Sequence, residues 1–182
     1  MESLTRDELM QIRGRLFPDR TVTPEEAGAD YSIDQFAATL LNLRGEMRTA
    51  LDSLPASAFD ATSSVEESGE ESWNAGQIVM HIANSQGSMT GAVSQLLDQP
   101  SPADVEHADV DAAGAKSRAD VIPMLESATE RARQFFSSIP ANPDFSRTMQ
   151  HERLGTLGIK GWLTIMLVHE LSHLVQLEAL TA

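Results

Sequence analysis

The terminal stretch Thr156 to Ala182, TLGIKGWLTIMLVHELSHLVQLEALTA, constrains the fold more than any other part of the chain. It is apolar nearly all round, holds no proline and is long enough for about seven turns of helix. A helix without a wholly polar face belongs in the interior, so the rest of the chain must supply partners that surround it. His169 and His173 stand four residues apart within it and therefore share a face, with Trp162, Met166, Gln176 and Leu180 on the same stripe. Two imidazoles stacked on an inward face have a metal-ligand spacing; the alternative is a pair of core histidines hydrogen-bonded to carbonyls.

The letters HELSH also fit H-E-x-x-H, in which two histidines bind zinc and the glutamate, here Glu170, activates a water. A zincin needs a third ligand, yet Leu174 to Ala182 offer no histidine, the G-x-x-H continuation of metzincins is missing, and Glu178 follows His173 too closely. Any third ligand must come from upstream. Glu170 projects about 100° round the helix from His169, which leaves it as a general base, a partner of a ligand or a flanking charge.

Length and charge exclude much else. A chain of 182 residues buries a full core without disulfides, and it reads as an N-terminal extension, residues 1–30, ahead of one bundle domain, residues 31–182. Twenty-seven acidic residues against thirteen basic ones, a formal net charge of −14, argue against nucleic acid or an anionic membrane as partner. The lack of cysteine excludes a disulfide framework, a thiolate metal site and a cysteine nucleophile, and fits a reducing compartment. No stretch reads as a signal peptide or a spanning helix, so a soluble cytoplasmic protein is expected.

Three long segments of helical period precede the terminal one. Ser32 with Gln35 forms a capping-box signature, and Phe36, Leu40, Leu43, Met47, Leu51 and Leu54 follow at three- and four-residue steps until Pro55. Asn74 caps a second helix running to about Leu97, with Gln77 returning the cap bond and Trp73 placed to pack on Ile78. Its apolar stripe is Ile78, Ile82, Met89, Val93 and Leu96; beside it Gln77, His81, Asn84, Ser85 and Ser88 make a polar edge that could line a cavity. Ser117 and Asp120 open a third, through Val121, Leu125, Ala128, Ala132, Phe135 and Ile139, with Pro123 forcing either a start at that residue or a kink.

A shorter amphipathic helix is expected from Ser3 or Thr5 to Leu16, with TVTPEEAGAD after it as loop. Ala56–Ser72 and Gln99–Lys116, acidic and the second holding His107, read as long connections, and Asn142–Gly155 as a loop carrying His151. Both of these histidines read as solvated, His151 with the option of folding over a pocket. With no repeat and no convincing strand, the expected fold is all-α, an antiparallel four-helix bundle whose long connecting loops act as crossovers or lids.

The motif W-N-x-x-Q-I-x-x-H, Trp73 to His81, followed by H-E-x-x-H-x-x-Q, His169 to Gln176, resembles the DinB/YfiT-like superfamily, as does the run LGTLGIKGWLTIMLVHE into the last helix. The resemblance covers roughly Ser32 to the end of the chain. It implies a bundle in which His81, His169 and His173 hold a divalent metal. The chain departs from the usual pattern at Asn74, where Ser is common, at Gln77, where Glu is common, and at Glu170, where Asp is common; none of these removes a ligand. Similar proteins include enzymes that use low-molecular-weight thiols such as bacillithiol or mycothiol in S-transfer or maleylpyruvate isomerisation. Members often pair through their bundle helices, so a homodimer is expected.

Three imidazoles leave open coordination on zinc or nickel, which is what catalysis on a small-molecule substrate needs. The reading is therefore a metal-dependent enzyme, a thiol S-transferase or a hydrolase, whose thiol must arrive as a cosubstrate because the chain has none. Glu170 is the candidate catalytic residue, and Gln77, Asn84, Ser85, Ser88, Trp162, Met166 and Gln176 are candidate pocket residues. Gln77 reads equally as a cap, Trp162 and Met166 as core, and Gln176 as a ligand-orienting or helix-surface residue. The alternatives are a non-catalytic metal- or ligand-binding bundle serving stress response or detoxification and, with less support, a metalloprotease.

Overall fold

A computed structural model describes residues 2–18, 20–59, 73–100 and 117–180. Most of the two acidic connections, with His107, lies outside the described residues. Six helices and one hairpin make up the described chain: α1 (Arg6–Leu16), α2 (Pro24–Gly28), α3 (Ile33–Ser53), α4 (Ala75–Leu96), α5 (Arg118–Ser138), β1 (Thr148–His151), β2 (Gly155–Gly158) and α6 (Ile159–Ala179). A 3-10 turn at Ala56–Phe59 follows α3.

Each long helix starts where its local chemistry directs. Ser32 accepts from the Gln35 backbone while Gln35 returns to the Ser32 N–H, and Asn74 does the same with Gln77. Ser117 and Asp120 open α5 at Arg118, ahead of Pro123, so the proline lies inside the helix and does not begin it. Thr5 caps α1 through Glu8. TVTPEEAGAD departs from its expected loop form: Thr23 and Glu26 build a capping box with Pro24 at the first position, enough to fix one short helix, α2.

Helices α3 to α6 form a four-helix bundle in which α3 packs on α5 and α6, and α4 packs on the same two. Side-chain contacts give their directions. Arg48 reaches Glu126 and Arg118 reaches the Leu54 carbonyl, so α3 and α5 are antiparallel. Gln86 bonds the Ala128 carbonyl and Gln99 the Ser138 carbonyl, so α4 and α5 run the same way. The connection between them, expected as a crossover or a lid, lies almost wholly outside the described residues. The stripe residues Phe36, Leu40, Met47 and Leu51 of α3, Ile78, Ile82 and Val93 of α4, and Val121 and Leu125 of α5 are buried, and most of α6 is too. Leu9, Ile12 and Leu16 of α1 join the same core.

Two features fix the start of α6, and through it the histidines. Gly158 at its N-cap has no side chain to offer, and the Glu25 carboxylate of α2 takes that place, accepting from the Gly158 and Gly161 N–H groups at 2.9 and 2.8 Å. Gly161 must be glycine for this, since a Cβ there would lie 2.6 Å from Glu25 Oε2. The second feature corrects the expectation of no strand: β1 and β2 pair antiparallel, Thr148 with Gly158 through His151 with Gly155, and lead directly into α6. Four-residue strands in a two-stranded hairpin give too short a pattern to stand out in sequence. The His151 Nδ1 closes the hairpin tip by accepting from the Arg153 and Leu154 N–H groups at 3.1 and 3.2 Å. Arg147, just before β1, ties the hairpin to the end of α4 through the Leu96 carbonyl at 2.7 Å and Asp98.

Candidate metal centre

His81 of α4 faces His169 and His173 of α6 across the bundle, and the three rings turn the same nitrogen toward one another. His81 Nε2 lies 2.9 Å from His169 Nε2, and His173 Nε2 lies 3.1 Å from it. A tetrahedral ion with bonds near 2.0–2.1 Å spaces its ligand nitrogens about 3.3 Å apart, close to these two separations, and all three ligand nitrogens lie within 4.8 Å of one another. The three histidines are thus a group that could hold a metal ion, His173 buried and the other two partly exposed.

The surroundings prepare the nitrogens for that role. His173 Nδ1 is 2.6 Å from Gln176 Oε1; with the amide oxygen accepting, Nδ1 carries the hydrogen and Nε2 keeps its lone pair. Gln176 is fully buried, so it serves His173 and not the helix surface. Burial, then the neighbouring His173 and His81, push His169 well below the ordinary imidazole range, which keeps it neutral and able to ligate. Trp73 lays its ring over His81 at 4.6 Å and over His173 at 6.1 Å between centroids, walling one side of the cluster. This ring contact, tilted on His81 and stacked on His173, goes beyond a staple on Ile78.

The remaining candidate residues divide. The Ser85 hydroxyl is 3.2 Å from His81 Nε2, beside the convergence point. Asn84 is partly exposed, and its carbonyl accepts from the exposed Ser88 at 3.5 Å, farther along α4. Gln77 is engaged by the cap, its Oε1 accepting from the Asn74 N–H at 3.1 Å. Met166 is buried in the core. Trp162 lies beside His151, ring centroids 5.3 Å apart, at the hairpin.

Glu170 turns away into the core. Its Oε1 accepts from Arg44 Nη2 at 2.6 Å, and the same nitrogen donates to Gln86 Oε1 at 2.8 Å, while Gln86 bonds the Ala128 carbonyl. Both charged side chains are only 1% exposed, so this is a sealed ion pair linking α3, α4, α5 and α6. Burial raises the Glu170 carboxyl above the ordinary glutamate range, and the Arg44 guanidinium opposes that rise. Arg44 and Gln86 were not singled out in the sequence. The signal was available: Arg44 falls between Leu40 and Met47, and Gln86 between Ile82 and Met89, both on stripes that face the core.

Fold and site together define a helical-bundle protein with a three-histidine centre between two of its long helices. A family model described as the DinB superfamily matches residues 39–177, from within α3 to near the end of α6, and the chain belongs to that superfamily. No curated protein and no solved structure matches the chain. Helices α1 and α2, including the Glu25 that caps α6, lie outside the matched range. Among the described residues no helix is long and apolar enough to cross a membrane.

Proposed function

We propose that the protein is a divalent-metal-dependent enzyme acting on a small molecule, with a low-molecular-weight thiol as cosubstrate and S-transfer as the reaction class. The observation that carries this reading is the convergence of three Nε2 atoms from two helices, one of them oriented by Gln176. All-nitrogen coordination by three imidazoles fits zinc or nickel and leaves positions open. A divalent ion held there supplies Lewis acidity that lowers the pKa of a coordinated thiol or water.

The chain's own residues then do the positioning. Gln176 holds His173 in the ligating tautomer, Trp73 restrains the rings of His81 and His173, and the Ser85 hydroxyl offers a hydrogen bond beside the open positions. With no cysteine in the chain, the thiol has to be brought by a small molecule. Glu170 serves this reading as the partner of Arg44, not as a base, which also weighs against peptidase chemistry. A homodimer and a cytoplasmic location belong to the same reading.

The test is consumption of an aryl halide electrophile with a panel of low-molecular-weight thiols, comparing wild type with His173→Ala reconstituted with the same metal. Turnover that needs both a thiol and His173 is expected. Turnover equal in the two proteins, or independent of thiol, rules out the mechanism and leaves a non-catalytic metal- or ligand-binding bundle as the better account.

A further inference from the structure

A groove of about 660 Å³ lies where the hairpin leans across α4 and the start of α6, lined by Ser88 and Gln95 of α4, His151, Glu152 and Arg153 of the hairpin, and Trp162 of α6, among others. Its position relative to the histidines follows from helix geometry. Ser88 is seven residues beyond His81, and Trp162 seven residues before His169, so each stands two turns, about 10 Å, from the metal-site residue on its own helix. α4 and α6 are antiparallel here, since His81 meets His169 and His173 while Ser88 and Gln95 share the groove with Trp162. The two displacements therefore point the same way, and the groove and the histidines are the two ends of one seam between α4 and α6.

The groove is rich in donors. The Trp162 indole N–H is buried and has no hydrogen-bond partner among the described residues, a cost of the kind a bound acceptor removes. His151 uses Nδ1 as acceptor for two hairpin amides, so its neutral ring carries the hydrogen on Nε2, a second donor held in place by the turn it closes. Arg153 adds a guanidinium at the exposed hairpin tip, with Glu152 next to it as the acid of the lining. Arg147 and the paired strands fix the hairpin against α4, so these donors sit on a scaffold and not on a free loop.

We infer that this groove receives the carboxylate end of an elongated small molecule whose other end lies at the three histidines. The inference deepens the proposed function, resting on its reading of the histidines as a metal centre, and it names the substrate class: a chain about 10 Å long, metal-seeking at one end and carboxylate at the other.

Zinc-loaded protein titrated calorimetrically with hydroxamic acids tests it, because a hydroxamate chelates zinc whether or not thiols are substrates. Acetohydroxamate reports the metal end alone; a long-chain hydroxamate ending in carboxylate, set against one of equal length ending in methyl, reports the groove. The carboxylate is expected to tighten binding by about tenfold in the long chain and to give no gain in a chain too short to reach. Trp162→Phe and, as a surface change that leaves the core intact, Arg153→Gln should each reduce that gain while leaving acetohydroxamate binding unchanged. No gain in the wild type, or a gain that survives both substitutions, overturns the inference. Failure of acetohydroxamate itself overturns the metal reading and the groove assignment with it. If hydroxamates behave as expected but thiols do not bind, the S-transfer chemistry falls and the groove assignment stands.

Discussion

Two polar clusters sit inside this bundle within a turn of each other, and they differ in how completely they are closed. The Arg44–Glu170 pair is sealed, 1% exposed on both sides, with Gln86 as a third member. The histidine cluster is partly exposed and brings three ring nitrogens to within 4.8 Å of one another, as a group that could hold an ion. Adjacent residues of one helix supply both: His169 joins the histidine cluster, while Glu170 is held in the core by its 2.6 Å bond to Arg44. A zincin has the same His–Glu spacing, so it is this buried pairing and not the helix step that sets Glu170 apart from a zincin base.

The largest effect is expected from breaking the sealed cluster. Arg44→Met leaves a buried carboxylate without its cation and should cost about 3–5 kcal/mol in chemical denaturation, whereas Arg44→Met with Glu170→Leu should recover most of that loss. A double variant no more stable than the single one would mean that the pair is not the closed unit described.

The open cluster should respond through metal affinity instead. Gln176→Leu removes the acceptor at His173 Nδ1 and is expected to weaken zinc binding by about 10- to 100-fold, while Gln176→Glu, which still accepts that hydrogen, should retain it. Equal weakening by both substitutions, measured by competition with a chelator, would assign Gln176 to packing alone.

Acidification should give the smallest effect. Because the folded pKa of His169 is depressed, its contribution to the stability of metal-free protein is present above the ordinary value of 6.5 and is lost as pH falls toward the folded value. Denaturation at about pH 7.5 and about pH 5.5 should therefore show wild type losing more stability than His169→Leu on acidification. Parallel losses would place His169 in a more solvated setting than the structure gives it.

The same contrast explains what was legible in the sequence. Periodicity and caps located the four long helices, because Ser32–Gln35, Asn74–Gln77 and the apolar stripes are local signals that the bundle reinforces. Histidines at positions 169 and 173 could be placed on one face, and His81 could be joined to them by resemblance to a family motif. What could not be read was direction and pairing across the bundle. Nothing local marks Glu170 as the partner of Arg44, more than a hundred positions away, or Glu25 as the cap of α6. The hairpin escaped for another reason: its strands are short, and its tip is closed by a histidine side chain where a turn dipeptide would have been the sequence signal.

X-ray absorption at the zinc edge, on protein loaded with one equivalent of zinc, tests the central claim most directly. The account predicts a first shell with three imidazole nitrogens at about 2.0–2.1 Å and one further light atom. A shell dominated by carboxylate oxygen, or one with fewer than three imidazoles, would contradict it.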